Sequence, residues 1–245
     1  MGSYTEIDQL NQRLDELRPL KKNDLASLQK HYFVERVYHS NAIEGNTLTL
    51  LETALVLEKG ITIGGKPLKD HLEAVNLAEA MEYMEDVVKT GDLSDKLIRD
   101  FHFIICNHEK HKGTYKQYAN RIVGSEMVPA SPFETPYRME ALFDWYEENK
   151  STLHPVELGA VFHQDFVNIH PFQDGNGRTA RLSLDFILMK NGYPPAMIRV
   201  SDEKLREYYS SLEHYHSTRD RTPFITFITS SVRDSLNNYL HAIRS

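Results

Sequence analysis

Apolar residues recur at steps of three and four through most of this chain, the period of an amphipathic helix. In EIDQLNQRLDELRPL the stripe is Ile7, Leu10, Leu14 and Leu17, and Pro19 ends it. A second helix is predicted through Leu28, Tyr32, Phe33, Val37 and Ile43, with Gly45-Asn46 as the stop. Gly and Asn tolerate the left-handed conformation that closes a helix. LLETALVLEKG gives a third segment closed by Gly60, and the run from Leu72 through Val75, Leu77 and Met81 a fourth closed by Gly91. Ser94 is placed to cap DKLIRDFHFIICNHEKH.

The pattern then breaks. GTYKQYANRIVGSEMVPASPFETPYR carries three prolines and two glycines and has no helical period, which predicts a loop with a short hairpin around Gly124-Ser125. Helices resume at MEALFDWYEENK and at HPVELGAVFHQDFVNIH, where Leu158, Phe162 and Phe166 step by four and Pro155 suits a first helical position. RTARLSLDFILMKNG, DEKLREYYSSLEHYH and PFITFITSSVRDSLNNYLHAI complete an all-α chain with one irregular excursion.

Composition narrows the function classes. The 245 residues are 40% apolar and 26% charged, enough for a buried core. A net charge of −7 disfavours nucleic acid and anionic membrane as partners, so a polyanionic ligand needs a locally built positive site. The lone cysteine, Cys106, fits a reducing, cytoplasmic setting, and no apolar run is long enough to span a membrane. The start MGSYTE reads neither as a signal peptide nor as a myristoylation site, because Glu6 stands where the latter wants Ser or Thr.

Several chemical signals dissolve on inspection. GITIGGKP approximates a phosphate-binding loop, but Pro67 replaces the metal-binding hydroxyl and no strand precedes it, so a Gly-rich turn is expected. His102, His108 and His111 lack a metal-ligand spacing, and His163 reads as structural.

HPFQDGNGRTAR, His170 to Arg181, is different. A Gly-rich turn feeding a helix aims free backbone N–H groups at one point, a ready anion site. Gly175 and Gly177 admit a phosphate to the main chain, and Asp174 offers a carboxylate to a phosphate-held Mg²⁺. Arg178 and Arg181 project from neighbouring positions of the new helix, and His170 is placed to take a proton from a hydroxyl. Together these are parts for nucleotidyl or phosphoryl transfer. One further residue is awkward. Glu44 sits in the last turn of its own helix, where the dipole makes an acid unfavourable by about 0.3–1 kcal/mol unless a cation faces it.

The His170–Arg181 segment resembles the signature of the Fic (filamentation induced by cAMP) family, matching each fixed position, and the likeness extends at least from Leu93 to Ile228. The resemblance implies a helical bundle with a β-hairpin flap beside the active site. It implies AMP transfer from MgATP to a Ser, Thr or Tyr hydroxyl of a protein, with His170 as general base and Asp174 holding Mg²⁺. Gly175, Asn176 and Gly177 would form the anion hole, Arg178 would lie near the β-phosphate and Arg181 on the γ-phosphate. A small residue at Gly177, where kinase-like relatives carry Lys, favours adenylylation over phosphorylation, while phosphocholine transfer stays open. Tyr209 resembles an aromatic of the adenine pocket, although His216 stands where some relatives have Asn. Ile122, Val123 and Gly124 would belong to the flap and pair with the target backbone, and Lys116 replaces a common Arg.

SNAIEGN resembles the family's inhibitory motif, with Ser40 and Glu44 on one helix face. Glu44 would then pair with Arg181 and fill the space of the γ-phosphate. The expected organisation is an N-terminal helical region, residues 1–92, that carries this helix, and a catalytic core with C-terminal helices, residues 93–245. Expected partners are ATP and a protein target, with self-modification and homodimer formation compatible with it. Two other readings remain: removal of AMP with Glu44 positioning water, and a nucleotide-sensing interaction module.

Overall fold

The computed structural model describes residues 4–17, 22–122 and 125–244. Pro19, the side chain of Leu28, Val123 and Gly124 lie outside the described residues. Ten α-helices and no strand occur among them: α1 (Thr5–Glu16), α2 (Lys22–Ile43), α3 (Leu50–Lys59), α4 (Leu68–Val87), α5 (Asp95–Ile105), α6 (Thr135–Asn149), α7 (Pro155–Ile169), α8 (Asn176–Lys190), α9 (Asp202–Thr218) and α10 (Thr222–Arg244). None is long and apolar enough to cross a membrane.

Helices α7 and α8 form the central pair because each is apolar on two faces. Phe162 and Phe166 of α7, with Phe186 and Ile187 of α8, join Leu77, Ile98, Phe101 and Leu142 in one core. Val156 and Ala160, with Leu184 and Leu188, join Ile7, Phe224, Ile228 and Leu236 in a second. A pair buried on both sides holds its connecting loop firmly, and that loop carries the HPFQDG sequence.

Helix α2 is locked to this pair by charge as well as by Val37. The buried Arg36 guanidinium donates to Asp185 of α8 at 3.0 Å and to Glu85 of α4 at 3.1 Å. The helix stops where the sequence predicts: Gly45 has φ 86°, and the Asn46 N–H donates back to the Asn41 carbonyl at 3.2 Å. The turn beyond it is stapled to α4, since the Thr47 N–H and hydroxyl both donate to Asp70, at 2.8 and 2.6 Å. The segment GITIGGKP is a turn between α3 and α4, and Lys66 reaches the Thr47 carbonyl and Glu52 there.

The expected β-hairpin is absent among the described residues. Pro129 and Pro132 lack N–H donors for a ladder, and side chains pin the segment instead. The Ser125 hydroxyl donates to Glu213 of α9, and the Ser125 N–H donates to the Ile122 carbonyl at 3.2 Å.

Candidate active site

The loop between α7 and α8 is held from three sides. His170 closes α7 in the left-handed region, φ 52° and ψ 59°, its N–H donating to the Phe166 carbonyl at 2.9 Å. The Asn176 side chain grips Phe172, accepting its N–H at 2.8 Å and donating to its carbonyl at 2.9 Å. From α5, the His102 ring stacks on Phe172 with centroids 3.7 Å apart and donates through Nε2 to the Asp174 carbonyl at 3.0 Å. Burial lowers the His102 pKa to about 4, so it stays a neutral prop. Gly175 has φ 72°, and a Cβ there would lie 2.5 Å from the Cys106 sulfur, so the backbone rests directly on that side chain.

The first hydrogen bond of the α8 ladder runs from the Thr179 N–H to the Gly175 carbonyl at 3.0 Å. The N–H groups of Asn176, Gly177 and Arg178 are therefore outside the ladder, free at the N-terminal end of α8. Asp174 stands beside them. Burial alone would raise its pKa, but the Gly175 N–H, Arg178 and Lys69 hold it below the usual carboxylate range. Arg178 is buried against Glu73 of α4, 3.2 Å away, and Glu73 also accepts from the Asn46 amide at 3.0 Å.

Glu44 meets this same point. Its Oε1 accepts from the Arg181 Nη2 at 2.8 Å, while the Arg181 Nε donates to the Ser40 hydroxyl at 2.9 Å and Nη2 also to the Ser40 carbonyl at 2.8 Å. A Cβ on Gly177 would fall 2.2 Å from Glu44 Oε1. The carboxylate thus lies on the first turn of α8, the site that the loop geometry offers to an anion. The acid that is misplaced at the C-terminal end of α2 is well placed at the N-terminal end of α8, with a buried guanidinium beside it.

The His170 ring is neutral at physiological pH: burial, then the Lys116 ammonium, lower its pKa from 6.5 to about 4. Its Nδ1 is buried without a hydrogen-bond partner. A cleft of about 600 Å³ opens at the C-terminal end of α7, lined by Met127, Val128, Trp145, Ile169, Tyr215 and His216 but not by His170 itself. Tyr209 does not line that cleft. Its hydroxyl donates to the Ile43 carbonyl at 3.0 Å, so it buttresses the end of α2, and its ring packs on Tyr208. Ile122 is half-buried in the irregular segment that precedes α6. Among the described residues no cluster of three His, Cys, Asp or Glu could hold a metal alone. The half-exposed Asp174 carboxylate instead suits a divalent cation that arrives already held by phosphates.

Sequence reasoning missed His102 and Cys106 under the loop, Glu73 on Arg178, and Asn120, which donates to the Phe172 carbonyl at 2.8 Å.

Comparison with known proteins agrees with this geometry. The Fic/DOC family model matches residues 92–188. The curated protein adenylyltransferase Fic of Nematostella vectensis is 33% identical over 240 residues, 96% of this chain and 55% of the relative. That of Drosophila melanogaster is 32% identical over 242 residues, 96% of this chain and 48% of the relative. The chain therefore spans about half the length of the curated relatives it matches. Among solved structures, a Fic domain containing signaling protein from Bacteroides thetaiotaomicron superposes with TM-score 0.89 at 34% identity, covering 98% of both chains. Fic-1 from C. elegans superposes with TM-score 0.84 at 30% identity, over 98% of this chain and 72% of that one. With the motif, the helical bundle and a structural counterpart that superposes over 98% of both chains in agreement, the chain belongs to the Fic/DOC family.

Proposed function

We propose that this chain is a protein adenylyltransferase that moves AMP from MgATP to a hydroxyl of a target protein, and that Glu44 holds it inactive. The observation that carries the reading is the Glu44 carboxylate seated on Arg181 and on the first turn of α8. The relatives named as protein adenylyltransferases support the choice of reaction.

His170, neutral at working pH, accepts the proton of the target hydroxyl. The freed oxygen attacks the α-phosphorus of ATP, the bond to the bridging oxygen breaks, and pyrophosphate leaves with that electron pair. The N–H groups of Asn176, Gly177 and Arg178 and the guanidinium groups of Arg178 and Arg181 offset the negative charge of the phosphates. Asp174 would hold Mg²⁺, which supplies further charge neutralisation between phosphates. Asn176 contributes its backbone, because its side chain is engaged in gripping Phe172. While Glu44 occupies Arg181, the terminal phosphate lacks its cation and the α-phosphorus is not presented to the base.

In this reading residues 1–92 form the regulatory region and 93–245 the catalytic one, and the segment around Ile122, Val123 and Gly124 docks the target. A cytoplasmic setting belongs to the same reading, since Cys106 is free and buried. The test is labelling of a lysate with α-labelled and γ-labelled ATP. Glu44→Gly should transfer only the α-label and do so faster than wild type, and adding His170→Ala should abolish it. Transfer of the γ-label, or none from Glu44→Gly, contradicts the proposal.

A further inference from the structure

His170 is one of only two described non-glycine residues with positive φ, the other being Arg219 at a helix end. Glycine would occupy that conformation without strain, so the imidazole is kept there by its surroundings. Those surroundings are specific. The Lys116 side chain, 4% exposed, directs its ammonium at the His170 carbonyl at 2.9 Å, the Ile169 carbonyl at 3.3 Å and the Asn120 side-chain oxygen at 2.9 Å. The Lys116 N–H donates to the Pro171 carbonyl at 2.8 Å. Asn120 completes the set, donating to the Phe172 carbonyl at 2.8 Å and, more weakly, to that of His170 at 3.4 Å. Four consecutive carbonyls, 169 to 172, are thus held by two residues from the irregular segment.

Among the described residues no carboxylate lies within ion-pair distance of this buried ammonium, and Glu134 acts on it only from farther away; its near partners are the Asn120 amide oxygen and the carbonyls at the C-terminal end of α7, where a cation is favourable. Burial lowers its pKa to about 8, the cost of keeping a charge there. A side chain needed only to fill the space would be apolar.

We propose that Lys116, assisted by Asn120, is the positioning clamp of this site: it holds the backbone of His170 in the left-handed conformation from which the ring meets the target hydroxyl. After burial, the Lys116 charge is the next factor that favours the neutral ring. The inference rests on His170 acting as the base of the proposed transfer. The charged groups that face the ring are Lys116, Glu44 and Asp174, and the Val167 carbonyl lies beside it.

The experiment uses the full chain in a Glu44→Gly background, with Lys116→Met, Lys116→Arg and Asn120→Ala. Lys116→Met should lower kcat for AMP transfer by about a hundredfold, the scale of a small misplacement of a reacting group, with KM for ATP within about twofold. Lys116→Arg, which can donate to the same carbonyls, should recover most of kcat. Asn120→Ala should cost about tenfold in kcat by the same route, and it carries the kinetic test if Lys116→Met does not fold. In parallel, imidazole NMR with the His170 signal assigned by His170→Ala should show the ring titrating at higher pH in Lys116→Met and unchanged in Lys116→Arg. An unchanged kcat in both Lys116→Met and Asn120→Ala, a joint loss of kcat and KM that Arg does not rescue, or a His170 titration indifferent to Lys116→Met overturns the clamp. Absence of transfer from the Glu44→Gly parent itself contradicts the adenylylation reading, and the NMR titration then still decides the clamp.

Discussion

Replacing Glu44 by Gln keeps the shape of the side chain and removes its charge, which isolates the electrostatic part of the latch. Arg181 is buried, whereas the Glu44 side chain is 33% exposed, so the pair lies between a surface ion pair and a buried one. A hydrogen bond to a charged group contributes roughly 1.5–3 kcal/mol when buried, and an exposed pair roughly 0–1 kcal/mol. Discounted for solvent screening, about 1.5 kcal/mol is a fair figure for the single 2.8 Å contact. If the latch and the terminal phosphate exclude each other at Arg181, losing that much from the closed state raises the competent fraction by about tenfold. Initial rates of AMP transfer with α-labelled ATP should therefore rise by about tenfold in Glu44→Gln. Glu44→Asp should rise too, because the carboxylate is drawn back by one methylene from both Arg181 and Gly177. Glu44→Gln at or below the wild-type rate would refute the electrostatic latch, and Glu44→Asp behaving as wild type would refute the dependence on reach.

The remaining predictions concern what holds the site. Gly175→Ala combines a left-handed backbone with a Cβ 2.5 Å from the Cys106 sulfur, and urea unfolding should show a loss of about 2 kcal/mol. Asp185→Asn leaves the buried Arg36 without its α8 carboxylate and should cost about 3 kcal/mol by the same measurement, loosening α2. His39, His102 and His163 are buried with pKa values lowered to about 4, 4 and 3 by burial, so below about pH 6.5 the unfolded chain binds more protons than the folded one. Stability is then present above that pH and lost as the pH falls towards these lowered values; between about pH 7.5 and about pH 5.5 each should remove roughly 1.4 kcal/mol. A flat melting temperature across that window would contradict their neutral burial.

Much of this site was legible in the sequence because its parts are local. The turn, the two glycines, the acid and the two arginines lie within twelve residues, His170 to Arg181, and a Gly-rich turn entering a helix has one geometric meaning. The stop at Gly45-Asn46 was equally local, and the dipole argument on Glu44 pointed to a distant cation before Arg181 could be seen beside it. What could not be read was long-range. His102 lies 72 residues before the Asp174 carbonyl it supports, and Glu73 reaches Arg178 from another helix, contacts that leave no period in the chain. The hydroxyl of Tyr209 donates to the Ile43 carbonyl, a partner no spacing reveals. The hairpin expected near Gly124 failed for a nearer reason. Prolines in the following residues withhold the donors a ladder needs, and Ser125 found Glu213 instead.

The central claim is that Glu44 and the terminal phosphate compete for Arg181. The direct measurement is calorimetric binding of MgATP and MgADP to the wild-type chain and to Glu44→Gly. Arg181 free of Glu44 should favour ATP over ADP in the variant, by about tenfold in Kd, whereas wild type should bind the two within about twofold of each other. An equal preference for ATP over ADP in both proteins would show that Glu44 does not occupy the place of that phosphate.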